Sequence, residues 1–545
     1  MRFEEKLKKL RSSEIWNEYC GFLDLSVDEY MNMQNRLMLE QIDLWSKSGL
    51  GRGFLNGETP KSIDEFREIV PLTDYIDYSD MLLQKRADIL PDTPIVWIQT
   101  TWEGGHNPIK VAPYTQGMLN AYRNNVMACF LLGTSTEKGS FDVSPKDKIL
   151  YALAPLPFAT GLFPLALGEE IGIEFLPSVR DAERMSFSER NKAGFKAGMK
   201  KGIQFFFGLG SVAYYVSLSV SALSGKSGGL KALSSMNIGR ALKLLRAKYR
   251  CKKEGRELLP KDLFDLKGFM VAGTDNRCYK DDLERLWGVR PMELFAGTEP
   301  SCIGTETWTR NGMYFFPDAC FYEFIPEADM LRSLYDKSYN PKTYLMDEVI
   351  PGEKYELVVS VLKGGAFMRY RVGDVYRCVG VSSADEDIHI PRFEYVDRIP
   401  TVIDIAGFTR ITENSIKSVI DLSGLPVENW VAVKEYNSDN RPYLHMYIEM
   451  AEESLSTHAI TIEVLKEHLS VYFRYVDSDY KDLKHILGMD PLEITILRCG
   501  TFDSYERDYG SLPHHINPSW REISSLMIVN KKDYELFGDR RRNNG

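Results

Sequence analysis

Leu294-Phe295-Ala296-Gly297-Thr298-Glu299 is the stretch on which the reading of the fold turns. Ahead of it, Cys278 to Gly288 has the pattern of an amphipathic helix stopping at Trp287-Gly288, and Pro291-Met292-Glu293-Leu294-Phe295 that of a short buried strand. The chain is then expected to turn through Ala296-Gly297 and present a hydroxyl, Thr298, and a carboxylate, Glu299. Just past a strand end, on a backbone without bulky side chains, that pair can approach a phosphate-bound cation and a substrate oxygen. Alone, Gly-Thr-Glu recurs by chance and reads as a turn with a solvated Glu. Its neighbours along the chain decide.

Met368-Arg369-Tyr370-Arg371-Val372-Gly373-Asp374-Val375 follows a strand of alternating Tyr355, Leu357, Val359 and Val361 and a Gly364-Gly365 turn, so it reads as the return strand of a hairpin. Asp374 is expected at the exposed end of that strand, where a carboxylate can accept hydrogen bonds from vicinal hydroxyls such as those of a ribose. Further on, Tyr395-Val396-Asp397-Arg398 leads into Ile405-Ala406-Gly407-Phe408-Thr409-Arg410-Ile411-Thr412-Glu413, a strand, a Gly turn and a Thr-capped helix start. In this order and at these separations, the three blocks resemble the metal and substrate loop, the ribose-binding Gly-Asp and the interdomain hinge of the adenylate-forming superfamily of acyl-activating ligases. Within it the chain is similar to the acyl acid-amido synthetases of the auxin-responsive-promoter family, which join a carboxylic acid to an amino acid. Tyr370 to Val375, the Phe321-Tyr322-Glu323-Phe324-Ile325-Pro326 strand and Gly500-Thr501-Phe502-Asp503 carry that similarity, which extends from about Thr100 to Asp503.

The resemblance implies an α/β fold: a large multi-sheet N-terminal domain over 1–396 that binds acyl group and ATP, and a small α+β C-terminal lid over 397–545 after a hinge. It implies ATP and Mg²⁺, with Glu299 holding the metal, Thr298 and Lys110 touching phosphate or substrate oxygens, Asp374 fixing the ribose and Arg398 reaching ribose or phosphate. The phosphate loop would be Thr100, Thr101, Gly104 and Gly105, followed by Lys110, and its backbone N–H groups would wrap the anion. Pro155-Leu156-Pro157-Phe158-Ala159-Thr160-Gly161 follows the buried strand Lys148 to Ala154, at the kind of strand end where open α/β sheets place ligands. By resemblance Phe158 would wall the acyl pocket with Phe295, while the plainer reading is that Phe158 packs the core. Gly273-Thr274-Asp275 would lie along an adenine or serve as an N-cap, two readings of equal weight. The implied product is an amide made from a small carboxylic acid and an amine. A thiol acceptor such as coenzyme A is the alternative, and a member that binds an acyl ligand or partner without adenylating is the third reading.

Two departures stand against this pattern. Trp102 and Glu103 replace the small hydroxyl residues of a phosphate loop, and a carboxylate about 4 Å from a phosphate oxygen costs on the order of 4 kcal/mol at an effective dielectric near 20. Glu103 must point away, be neutralised, or mark an altered site; His106 receives no role. After Gly500-Thr501-Phe502-Asp503 the family reaches a Gln-x-Lys-x-Pro-Arg motif, whereas Gly510 to Pro518 here contains no Lys; Lys531 and Lys532 come next, in a stretch read as exposed and charged.

The bulk properties are those of an ordinary globular protein. A chain of 545 residues exceeds one compact core, and 44% hydrophobic with 26% charged residues excludes a largely disordered chain. A net charge of −10 argues against a nucleic-acid binder. Eight scattered cysteines with no Cys-x-x-Cys pair suggest thiols in a reducing compartment, and the first residues lack the apolar core of a signal peptide, so a cytoplasmic protein is expected. Gln204 to Gly225 is uncharged but too polar for a membrane span; it reads as a buried strand, a tight turn and a helix, followed by a Ser224 to Gly229 loop. The basic run from Arg240 to Arg256 reads as a solvated helix face with Leu242, Leu244 and Leu245 as its apolar part, and Arg540-Arg541-Arg542 as a frayed tail.

Overall fold

A sheet of 11 strands organises the first 397 residues of the computed structural model, which describes residues 1–55, 58–100, 109–151, 153–221, 236, 238–407, 409–451, 462–476 and 480–542. β1 (Pro94–Gln99) and β2 (Val111–Thr115) form a separate antiparallel pair. The large sheet comprises β3 (Lys148–Tyr151), β4 (Glu174–Leu176), β5 (Phe205–Leu209), β6 (Gly268–Ala272), β7 (Met292–Gly297), β8 (Ser301–Glu306) and β9 (Met313–Phe315). It is completed by β10 (Cys320–Pro326), β11 (Lys354–Val361), β12 (Tyr370–Gly380) and β13 (Arg392–Arg398). The strand order is β10-β11-β12-β13-β9-β8-β7-β6-β5-β3-β4.

Pairing divides this sheet in two. β4, β3, β5, β6 and β7 are parallel to one another, whereas β7 with β8 and β8 with β9 are antiparallel. Strands of the parallel half are covered on both faces, which is why they read as continuous apolar runs. Phe205 stacks on Phe130 of helix Gln116–Leu132 at 4.1 Å, while Phe206, turned to the other face, meets Phe269 at 5.1 Å and Trp287 of helix Lys280–Trp287 at 5.6 Å. That second helix ends at Gly288 with φ 77°, a left-handed cap for which glycine is suited. The tight turn expected after Phe207 is absent: β5 runs through Leu209 and helix Gly210–Ser221 follows directly, with the Gly210 N–H donating to Asn276 Oδ1 at 3.1 Å. The Ser224 to Gly229 loop lies outside the described residues. No described helix is long and apolar enough to cross a membrane.

From Arg398 onward a second compact unit forms. β14 (Val402–Ile405) and β15 (Thr409–Thr412) make a hairpin, and Thr412 caps helix Glu413–Ser423 by accepting from the Ser415 N–H at 3.3 Å. β16 (Val427–Tyr436) and β17 (Pro442–Met450) are antiparallel, and β18 (Leu492–Leu497) joins β17 in parallel. A parallel neighbour requires a crossover, which helices Ile462–Val476 and Tyr480–Leu487 supply. One face of this sheet packs Ile416, Leu465 and Phe473; the other packs Phe502, Tyr505, Leu526 and Val529. Lys531, read from sequence as part of an exposed charged stretch, is exposed on helix Trp520–Arg542. The architecture is α/β with a small α+β unit at the C-terminal end.

Candidate active site

β7 is the last parallel strand and the first antiparallel one, so the loop leaving its carboxyl end sits where the sheet changes sense, a location that favours ligands in open α/β sheets. Gly297 pairs with Ser301, which makes Thr298-Glu299-Pro300 a three-residue turn closed by Ser301 at φ 71°. The strand therefore continues through Ala296-Gly297 instead of turning there as the sequence suggested. A Cβ on Gly297 would stand 2.9 Å from Pro300 Cδ, too close for a side chain. Thr298 and Glu299 are both buried, and the Tyr114 hydroxyl donates to the Thr298 carbonyl at 3.1 Å.

Glu299 is the centre of a small polar cluster. Its Oε1 receives Lys110 Nζ at 3.0 Å and the Tyr370 hydroxyl at 2.5 Å, and Lys110 Nζ lies 3.3 Å from the Tyr370 hydroxyl. Lys110 is delivered by the start of β2: its N–H donates to Thr100 Oγ1 at 3.1 Å and its carbonyl accepts from the Thr100 N–H at 2.9 Å. The Val111 N–H donates to the Tyr75 hydroxyl at 2.6 Å, and the Tyr75 ring centroid is 5.8 Å from Lys110 Nζ, within cation–π reach. Burial pushes the Glu299 carboxyl up, but the Lys110 charge and the donated hydrogen bonds from Tyr370 and Lys110 outweigh it, and the net shift is downward. Burial, reinforced by the Glu299 charge, drives the Tyr370 phenol far above its ordinary range, and burial lifts Tyr75 to about 12. Both phenols are therefore neutral donors at neutral pH.

β12 contributes Tyr370 at its start and Asp374 in its interior. Opposite Leu357 of β11 stand three residues, Val372-Gly373-Asp374, because Arg371 pairs with Val358 and Val375 with Glu356. This bulge, with Gly373 at φ 80°, re-aims the strand locally. Asp374 is 2% exposed, which corrects the expectation that it stands at an exposed strand end. The sequence pattern placed a strand correctly but carried no sign of the bulge. The arginines on either side of Tyr370 are engaged in bidentate pairs with buried carboxylates: buried Arg369 with Glu323 at 3.0 and 3.1 Å, and half-buried Arg371 with Glu356 at 2.5 and 2.9 Å.

The remaining sequence-derived residues fall as follows. Gly273, at φ 92°, leaves the carboxyl end of β6, and Thr274 and Asp275 beside it are buried, with Asp275 at the N-cap position of the 3₁₀ turn Asn276–Cys278. Asn276 Nδ2 donates to the Gly273 carbonyl at 2.8 Å and to Glu293 Oε1 of β7 at 3.2 Å, tying neighbouring strand ends together. Phe158 is half-buried and forms a bridge to Gln99, the residue before Thr100, so its loop borders the Thr100 end of β1. Phe295 meets the Tyr376 ring edge-to-face at 5.5 Å. Thr101, Gly104 and Gly105, with Trp102, Glu103 and His106, lie outside the described residues. Arg398 belongs to the small unit, where its Nε is 3.6 Å from Asp404 Oδ2. Gly510 to Pro518 docks on β16 through Ile516 beside Ala432, with His515 Nδ1 at 2.7 Å from the Trp430 carbonyl. Two participants were given no role from sequence: Tyr370, quoted only as part of the Tyr370 to Val375 block, and Tyr75. Period-two alternation was the available signal for the first, since it sets Tyr370 on the face opposite Arg369 and Arg371.

Comparison with known proteins agrees with this architecture. Residues 313–398 match the GH3 family central domain. Jasmonoyl--L-amino acid synthetase GH3.5 of Oryza sativa subsp. japonica is 24% identical over 240 residues, 39% of this chain and 38% of that protein. The 4-substituted benzoates-glutamate ligase GH3.12 of Arabidopsis thaliana is 27% identical over 202 residues, 35% of this chain and 32% of that protein. The matched stretches thus span about a third of either relative's length. Among solved structures, the AtGH3.15 acyl acid amido synthetase in complex with 2,4-DB superposes with a TM-score of 0.54 at 16% identity, covering 96% of this chain and 97% of that one. A 2-hydroxyisobutyryl-CoA ligase in complex with 2-HIB-AMP and CoA gives 0.52 at 16% identity, covering 86% and 85%. The fold is that of the adenylate-forming enzymes. Residues 313–398, which include both Phe321 to Pro326 and Tyr370 to Val375, match the GH3 family central domain, in keeping with the resemblance read from those two segments.

Proposed function

We propose that this protein is an ATP-dependent ligase that activates a small carboxylic acid as its acyl-adenylate and transfers the acyl group to an amine, an amino acid in the first instance. The observation that carries the reading is the convergence of Lys110, Glu299 and Tyr370 at the carboxyl end of the switch strand. The activities named for the relatives, amide formation on jasmonate and on benzoates, support the reaction class.

The chemistry explains why such residues are needed. A carboxylate that attacks the α-phosphorus brings two anions together, so the barrier falls only where cations and oriented donors meet the developing charge. In this reading Lys110 and Thr298 contact phosphate and carboxylate oxygens, Thr100 and the Thr101, Gly104 and Gly105 backbone hold the phosphate chain, and Asp374 binds the ribose. Gly273 and Thr274 border the base, and Phe158 and Phe295 line the acyl pocket. Arg398 and the unit over 397–545 act as a lid to the acyl and ATP-binding domain over 1–396.

Mg²⁺ fits the donor set in one respect. Among the described residues no three His, Cys, Asp or Glu side chains gather into a cation cage, and Glu299 supplies a single carboxylate. That suits an ion that keeps its waters and takes its other ligands from phosphates. When bound it would neutralise phosphate charge, with Glu299 as its protein ligand and Lys110 released toward the phosphates.

The test is ATP/pyrophosphate exchange with a panel of small carboxylic acids, followed by product analysis with amino acids and coenzyme A supplied side by side. Exchange with amide product supports the proposal. Thioester as the sole product moves the protein to the acyl-CoA ligases, and calorimetry without heat for ATP and Mg²⁺ removes the activity altogether.

A further inference from the structure

The basic helix Ile238–Glu254 does not use its apolar residues as the sequence suggested. It buries Leu244, Ala247 and Cys251, and leaves Leu242 and Leu245 exposed at 48% and 49%, with Ile238 at 82% and Tyr249 at 75%. The spacing of these four exposed residues places them within about 60° of one another around the helix axis, directly opposite the buried face. An outward apolar stripe of this kind is not part of the helix's own packing. It is also bordered by cations: Arg246 and Lys253 on one flank, Lys248 and Lys252 on the other. Other basic residues of the segment are engaged inward or sideways, Lys243 with Asp265 at 2.5 Å and Arg250 with Asp262 at 2.7 Å. The four flanking cations make no ion pair among the described residues.

We propose that this helix is a docking surface for an anionic lipid bilayer, lying in the interface with Ile238, Leu242, Leu245 and Tyr249 among the acyl chains and the flanking Lys and Arg among the headgroups. An apolar centre between two basic margins is the arrangement that combines burial with attraction to anionic lipid. The charge excludes the simpler occupant, a second copy of the same helix, because two such strongly basic faces repel. It also stands out against a chain whose net charge is −10, so the attraction is local to this surface. The attachment is peripheral and consistent with the absence of a membrane-crossing helix among the described residues. It does not rest on the proposed ligase activity.

Co-sedimentation of the full chain with vesicles tests this directly, comparing phosphatidylcholine containing phosphatidylserine with phosphatidylcholine alone. The expected result is sedimentation with the anionic vesicles only, weakened by salt. Both Leu242→Glu/Leu245→Glu and Arg246→Glu/Lys253→Glu should lower the bound fraction about tenfold or more with an unchanged circular dichroism spectrum. Leu39→Glu, at an exposed leucine on another helix, should bind as the parent chain does. Equal binding to both vesicle types, or full binding by the double Leu variant, overturns the proposal. So does a dimer in the parent chain that the double Leu variant abolishes, because the stripe would then be a self-association surface.

Discussion

Lys110 Nζ lies 3.0 Å from Glu299 Oε1 although 189 residues separate the two in the chain. The pair is largely buried, with side-chain exposures of 18% and 9%, so each charge depends on the other for its solvation. Removing one partner leaves an uncompensated buried charge. Lys110→Met and Glu299→Gln should each lower unfolding free energy by about 3–5 kcal/mol, and the double variant should lose less than the sum. Exchange activity should fall by about 100-fold or more in either single variant. Urea titration and ATP/pyrophosphate exchange on the same preparations check both expectations.

Tyr370→Phe isolates one hydrogen bond of this cluster. The phenol donates to Glu299 Oε1 at 2.5 Å, and its loss costs a charge-assisted bond, about 1.5–3 kcal/mol. The Glu299 carboxyl is depressed in the folded protein despite burial, owing to Lys110 and Tyr370. Its contribution to stability is present above the unfolded carboxyl pKa and disappears as pH falls through the folded one. Without the Tyr370 donor the folded pKa rises, so the acid limb of both stability and activity should move to higher pH. A pH–rate profile whose acid limb is unchanged in Tyr370→Phe would show that Glu299 ionisation does not govern the reaction.

Arg371 offers the contrasting case one residue along. Its guanidinium forks onto Glu356 at 2.5 and 2.9 Å, and Glu356 is fully buried. Arg371→Lys keeps the charge but loses the planar fork, and should destabilise the sheet by about 1–3 kcal/mol while leaving nucleotide affinity within about threefold. Thermal melts and ATP calorimetry separate the two effects.

Gly373 at φ 80° and buried Asp374 make the bulge in β12 a matched pair. Gly373→Ala forces a side chain into the left-handed region, at about 1–3 kcal/mol, and should shift Asp374 as well. Asp374→Asn keeps the shape and removes the charge. Both should weaken ATP binding by about tenfold or more in calorimetry, and only Gly373→Ala should also lower the melting temperature markedly.

These residues also mark what could be read from sequence. The parallel half of the sheet was legible because strands covered on both faces are apolar throughout, as in Phe205-Phe206-Phe207, and the helix ending at Gly288 was legible from its terminating glycine. Thr298-Glu299 and the Tyr370 to Asp374 strand were legible as motifs, although the turn falls on Thr298-Glu299-Pro300 and not on Ala296-Gly297. The bulge that buries Asp374 was not, since it arises from register against Leu357, a residue distant in the chain. Nor was the role of Tyr370, which depends on Lys110 and Glu299 arriving from two other segments. The outward Leu242 and Leu245 were misread for a related reason: composition shows that a helix has apolar residues, but only packing shows which of them face the core.

Asp404 carries the last prediction, for the small unit. Its carboxylate is fully buried and lies between Arg398 Nε at 3.6 Å and Arg410 Nε at 3.3 Å, while Oδ1 accepts the Gly407 N–H at 2.9 Å. Burial pulls the Arg410 guanidinium down to about 10, so the cation is held at a cost that Asp404 offsets. Asp404→Ala removes both the charge between the arginines and the acceptor that closes the β14–β15 turn. It should destabilise this unit by about 3–5 kcal/mol. Asp404→Asn retains the acceptor and should lose less. If Arg398 reaches the nucleotide as proposed, Asp404→Asn should also weaken ATP binding through a misdirected guanidinium, without altering the pH profile set by Glu299. Calorimetry beside differential scanning of the two variants decides between an orienting role for Asp404 and one confined to stability.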